Sequence, residues 1–161
     1  MFLFSFYTRG MSFIDMAYLR KSDLKNGMLS YRRRKTGQQL LVKWEQCMQE
    51  IVDKYILAES SYLLPIIKEQ SRVGERQQYI YAAHNINRNL KIIGNKVGLT
   101  TSLTMYVSRH TWASVARSKN IPISIISEGM GHDSETTTRI YLASLDTDVV
   151  DKANSVILDS L

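Results

Sequence analysis

The sequence has 161 residues, 44% apolar and 22% charged, a balance that fits one globular domain able to bury a core without disulfides or metal. Its single cysteine, Cys47, excludes an internal disulfide and a cysteine zinc cluster, and fits a reducing cytoplasm. Lys and Arg outnumber Asp and Glu by 21 to 15, and the net charge of +6 points to a polyanionic partner, nucleic acid before an anionic membrane.

The apolar start, residues 1–6, is too short to span a bilayer and lacks the basic region and cleavage site of a signal peptide. Phe2, Phe6, Phe13, Met16, Ala17 and Leu19 recur at three- and four-residue spacing and predict a helix over residues 2–20. Lys25, Asn26 and Gly27 then mark a turn. Residues 28–34 and 38–43 read as the strands of a hairpin around Lys35, Thr36 and Gly37. The next helix spans residues 44–57, with Trp44, Met48, Ile51, Val52 and Tyr55 as its buried stripe and Cys47 as core filler beside it.

Residues 62–67 form an apolar connection broken by Pro65, and residues 68–76 are polar. A long amphipathic helix over residues 77–97 ends at Gly98, and Thr104 is placed to cap a helix over residues 105–119. Pro122 opens a short helix that stops at Gly129 and Gly131, and Asp133 or Ser134 caps another that reaches Tyr141. The tail over residues 146–158 is amphipathic through Val149, Val150, Ala153, Val156 and Ile157. The expected fold class is mainly α with one small antiparallel β-hairpin or sheet. It forms a single domain over residues 1–161, with a tail helix over 144–161.

The chemistry concentrates late in the chain. Ser108, Arg109, His110 and Thr111 are followed by Gly131 and His132, and then by Thr137, Thr138, Arg139, Ile140 and Tyr141. Singly, these residues have ordinary explanations: a solvated arginine, a packed histidine, a half-buried tyrosine. Together they resemble the signature of the tyrosine recombinase (phage integrase) family, in which Arg-His-Thr or Arg-His-Ser precedes Gly-His. The nucleophilic tyrosine follows nine residues after that histidine, as Tyr141 follows His132. Among such enzymes the chain is most similar to integrases carried by mobile elements of the Bacteroides group.

The resemblance implies site-specific DNA recombination and integration. The Tyr141 oxygen would attack a DNA phosphodiester, giving a 3′-phosphotyrosyl link and a free 5′-hydroxyl, with no metal and no other cofactor. Charge gathering on the non-bridging oxygens calls for arginine, whose planar fork stays protonated and donates two hydrogen bonds. Arg109 matches the family's second catalytic arginine and His132 its late phosphate-binding residue. Lys35 resembles the hairpin lysine that protonates the leaving 5′-oxygen. Arg32, Arg33 and Arg34 are expected to touch DNA phosphates, and His110 to serve packing and orientation. His84 matches no role.

Two positions depart from the family pattern. Tyr106 stands where a histidine is usual, three residues before Arg109, and its hydroxyl can donate to phosphate but cannot act as a base near neutral pH. Asp15, Leu19 and Asp23 fit the frame around the first arginine, which puts Ser12 where that arginine belongs. Arg9 is expected to fill the gap, because positions 9 and 12 of a helix share a face.

The resemblance also implies double-stranded attachment-site DNA as partner, a tetrameric synapse with other subunits that exchange the tail, no membrane, and a place in the bacterial cytoplasm at the nucleoid. The chain starts almost at the first motif, so an amino-terminal arm- or core-binding domain and the first helix of the catalytic domain are expected to be missing. Two other readings stand beside this one: a DNA-binding remnant without catalysis, and a helix-turn-helix-like regulator built on residues 122–141. A regulator would need neither Tyr141 nor Lys35, and its recognition helix would carry more base-reading side chains.

Overall fold

The computed structural model describes residues 1–143 and Leu158. The chain forms two compact units, Met1–Trp112 and Ala113–Leu161. The fold class is the expected one, mostly helical with a small antiparallel sheet. The anticipated tail helix lies outside the described residues.

The first unit opens with α1 (Phe2–Tyr7) and α2 (Phe13–Ala17), in place of the continuous helix predicted over residues 2–20. Its stop is a Schellman motif: the Gly10 N–H donates to the Ser5 carbonyl at 2.8 Å and the Arg9 N–H to the Phe6 carbonyl at 3.2 Å. That motif puts Arg9 in the left-handed region at φ 61°, followed by Gly10 at φ 73°. The Thr8 hydroxyl donates back to the Phe4 carbonyl, and the Ser5 hydroxyl to the Met11 carbonyl, so the turn buries satisfied polar groups. Ser12 then caps α2, accepting from the Asp15 N–H at 3.4 Å.

The sheet has three strands in the order β1 (Leu24–Lys25), β2 (Met28–Arg32), β3 (Gln39–Lys43), all antiparallel. β1 is an addition to the expected hairpin. The Asn26-Gly27 turn has both residues at positive φ, as a type I′ turn requires, and this sends the chain straight back into β2. Leu29, Tyr31, Leu40 and Val42 alternate inward and join Phe4, Met16, Leu19 and Val52 in the core.

α3 (Gln46–Tyr55) buries Met48 and Val52, while Tyr55 at its end is exposed, against the buried stripe expected. Residues 62–67 enter the core almost whole, docked by the Leu63 N–H on the Leu19 carbonyl at 2.9 Å. α4 (Glu75–Lys96) stacks Tyr79 on Phe13, with ring centroids 5.8 Å apart. α5 (Met105–Ser118) has its first N–H held by the Asn87 carboxamide of α4 at 2.8 Å, a cap supplied from a distant residue.

In the second unit, α6 (Ile123–Met130) ends on Gly131 at φ 64°, and the His132 N–H donates to the Ser127 carbonyl at 3.0 Å. α7 (Glu135–Ala143) packs on α6, and Ser134 accepts from the Thr137 N–H, which makes Ser134 the cap of the two residues considered.

Candidate active site

In the first unit the phosphate-binding candidates gather around one loop and one hairpin. Arg109, on α5, is 8% exposed and its Nη1 donates to the Gly10 carbonyl at 2.7 Å. The approach is close: a Cβ on Gly10 would lie 2.8 Å from Arg109 Cγ and 2.9 Å from its Cα. Gly10 is thus constrained twice, by its left-handed backbone and by the arginine lying on it. Gly10→Ala should therefore lose roughly 2–4 kcal/mol from combined backbone strain and overpacking. Urea unfolding should report this as an earlier midpoint, and a midpoint equal to that of the parent would contradict the packing described.

The hairpin loop is clamped by Asp15, which is buried at the start of α2. Its Oδ1 accepts from the Arg34 N–H at 2.9 Å, and its Oδ2 accepts from the Ser12 hydroxyl at 2.6 Å. The loop itself is closed by the Arg33 N–H on the Gln38 carbonyl and the Gly37 N–H on the Arg33 carbonyl, each at 2.8 Å. This turn holds Lys35 out into solvent.

The three hairpin arginines separate. Arg32 and Arg34 are exposed: Arg32 Nη1 donates to the Gly37 carbonyl at 2.6 Å, and the Arg34 guanidinium lies over the Tyr18 ring at 3.8 Å. Arg33 is instead 7% exposed, with Nε 4.0 Å from Asp15 Oδ2. A position inside the fold is not legible from a run of like charges.

Tyr31 reports the electrostatics of this region. Burial raises its hydroxyl pKa, Asp15 raises it further, and Arg33, Arg109 and Arg9 each pull it down, in that order. Three guanidiniums therefore act on one buried side chain of β2. Arg9 is half-buried and sits in the Schellman turn, so the shared helix face assumed for positions 9 and 12 is absent. On α5, Tyr106 is exposed and its ring meets His110 edge-on at 4.4 Å. Burial, then the Arg109 charge, lowers the His110 pKa, which suits a neutral orienting ring.

In the second unit, His132 follows the α6 stop directly, and its Nδ1 is 2.8 Å from the hydroxyl of the buried Thr138. The Tyr141 ring lies edge-on to the His132 ring at 5.7 Å. Nine residues in sequence thus become one packed pair, because Thr138 on α7 holds the imidazole one turn from the tyrosine. Among the described residues, no group of three or more His, Cys, Asp or Glu is arranged to hold a metal ion. No helix among them is long and apolar enough to cross a membrane.

Comparison with known proteins places the chain in a class. A family model described as the phage integrase family matches residues 2–148, and the chain belongs to that family. The tyrosine recombinase XerA of Saccharolobus solfataricus is 26% identical over 119 residues, covering 74% of this chain and 36% of the relative. The fold matches the crystal structure of XerA recombinase with a TM-score of 0.67 at 20% identity, over 94% of this chain and 54% of that one. It matches XerH site-specific recombinase bound to palindromic difH substrate with a TM-score of 0.68 at 18% identity, over 96% of this chain and 44% of that one. The integrase of transposon Tn1549 in complex with circular intermediate DNA gives a TM-score of 0.64 at 14% identity, over 97% and 58% of the two chains. The chain therefore spans about a third to just over half the length of these relatives.

Proposed function

We propose that the chain carries the catalytic machinery of a site-specific recombinase that breaks and rejoins double-stranded DNA through a 3′-phosphotyrosyl intermediate, and serves DNA integration. The observation that carries this reading is the packing of the Tyr141 ring against His132 at the family's spacing, in a chain whose buried Arg109 is fixed on the Gly10 carbonyl. Phosphoryl transfer gathers negative charge at phosphorus, and guanidiniums fixed before the substrate arrives stabilise it without reorganising.

The residues take these roles. Tyr141 supplies the attacking oxygen, Lys35 protonates the departing 5′-oxygen, and Arg109 and His132 donate to the non-bridging oxygens. Tyr106 positions the phosphate through its hydroxyl, and Arg9 adds positive charge from its turn. No metal or other cofactor has a part in these steps. The partners are attachment-site DNA and further recombinase subunits in a tetrameric synapse, engaged through the tail, with the protein at the nucleoid. In the same reading, residues 1–161 are one catalytic domain.

Arg32 and Arg34 remain phosphate contacts of the hairpin. Replacing both with Gln should reduce the magnitude of the log–log salt dependence of DNA binding by about two units, roughly 0.9 per phosphate contact. An unchanged slope would remove the hairpin from the interface.

The test of the whole reading uses a nicked duplex spanning the joined ends of the mobile element that encodes the chain. Cleavage beside the nick releases a short strand and traps the protein on DNA. A band that survives denaturant is the expected result. Ser12 in the place of an arginine favours the alternative of a DNA-binding remnant, which would shift the duplex in a native gel and leave no such band.

A further inference from the structure

We propose that Arg33, carried on the hairpin, takes the place of the arginine absent at Ser12 and donates to the non-bridging oxygens of the scissile phosphate. This rests on the strand-exchange reading given above. Its physical basis is the carboxylate of Asp15, which stands in the family frame three residues after the missing arginine. Asp15 is buried, and a buried carboxylate in a fold of this size needs a cation or several donors around it.

Here it has both. The Ser12 hydroxyl donates to Oδ2 at 2.6 Å, and Arg33 Nε stands 4.0 Å from the same oxygen. The short side chain at position 12 fills one site on the carboxylate and leaves the cation to come from the hairpin. The hairpin is locked to the same carboxylate through the Arg34 N–H, so the backbone of residues 33 and 34 cannot drift from it. Asp15 thereby pins the backbone of the hairpin turn at Arg34 and faces the Arg33 guanidinium.

The position is right in a second respect. Ser12 lies two residues after Gly10, whose carbonyl holds Arg109. One short segment, residues 10–15, thus touches the Arg109 guanidinium at one end and faces Arg33 at the other. The two arginines share the same low exposure, 7% and 8%, whereas their hairpin neighbours Arg32 and Arg34 are exposed. Of the three guanidiniums that act on Tyr31, Arg33 acts most strongly and Arg9 least.

Arg9 is the competing candidate. Its backbone is committed to the Schellman turn and its side chain is half-buried, so it is a supplementary charge subject to solvent screening. Arg33 is buried and faces the Asp15 carboxylate at 4.0 Å, so its charge is far less screened than that of Arg9.

The test measures single-turnover adduct formation on the nicked junction duplex, with DNA affinity and thermal unfolding recorded for every variant. Arg33→Ala should slow cleavage by about a hundredfold or more, and Arg9→Ala by about fivefold or less. Because Arg33→Ala also removes a cation from the hairpin, a further pair of measurements separates chemistry from folding. Introducing arginine by Ser12→Arg into the Arg33→Ala chain should recover about tenfold or more of the lost rate. On a duplex whose scissile phosphate is a neutral methylphosphonate, the defect of Arg33→Ala should shrink to about threefold or less, since the charge it met is gone.

Cleavage by Arg33→Ala within about threefold of the parent on ordinary phosphate would overturn the inference while leaving the recombinase reading intact. So would a defect undiminished on methylphosphonate and unrelieved by Ser12→Arg, which would assign Arg33 to folding alone. Absence of adduct with the parent chain would defeat the recombinase reading and this inference with it.

Discussion

Tyr141→Phe is expected to abolish the covalent protein–DNA adduct while leaving DNA affinity nearly unchanged. The substitution removes one oxygen and keeps the ring, so the edge-on contact with His132 at 5.7 Å persists and α7 is undisturbed. Nothing else in the proposed scheme replaces the lost nucleophile. Protonation by Lys35 and charge stabilisation by arginine accelerate an attack but supply no attacking atom, and a nucleophile therefore cannot be traded against the groups that assist it. A gel-shift titration paired with the denaturing adduct assay measures both quantities on one DNA. Adduct formation by Tyr141→Phe would show that another residue attacks.

Arg109→Ala is expected to lower the single-turnover cleavage rate by about a hundred- to a thousandfold, roughly 3–4 kcal/mol of transition-state stabilisation. Arg109→Lys should restore little, because an ammonium cannot present two parallel N–H donors to a phosphate and would not reach the Gly10 carbonyl with the same geometry. Arg109 also anchors the residue 8–11 turn, so thermal unfolding of each variant must be recorded. A folded Arg109→Ala chain that cleaves within about tenfold of the parent would remove Arg109 from the chemistry.

Much of this site is legible in the sequence because its spacing is local. His132 and Tyr141 are separated by one glycine-stopped helix end and one capped helix start, and both punctuation marks, Gly131 and Ser134, can be read directly. The α4 and α5 helices also declare themselves, being long and amphipathic. Other features depend on groups far apart in sequence. The break at residues 8–11 is hidden because the apolar period continues across it, and a Schellman stop with arginine in the left-handed position lacks the usual glycine there. The two-residue strand β1 is too short to have a period. Asn87 caps α5 from eighteen residues away, which no window of local propensity registers. Arg33 looks like its neighbours in sequence because charge runs read as solvated, and the carboxylate it faces lies far upstream, on the residue that holds the Arg34 N–H. Tyr55 follows the apolar stripe of α3 yet emerges into solvent, since its helix ends at that residue.

Arg9 sits in the turn after α1, while Arg33 is buried beside Asp15. The Asp15 carboxylate is faced by a hairpin residue, Arg33. Ser12 then serves as the cap of α2, a task for which its hydroxyl is well suited.

The most direct measurement of the central claim is the identity of the residue that becomes joined to DNA. The chain is incubated with the nicked junction duplex, the denaturant-stable adduct is digested with protease and nuclease, and the nucleotide-bearing peptide is sequenced by mass spectrometry. The expected peptide contains Tyr141, with the DNA attached through its 3′-phosphate. A nucleotide on any other side chain, or attachment through a 5′-phosphate, would contradict it.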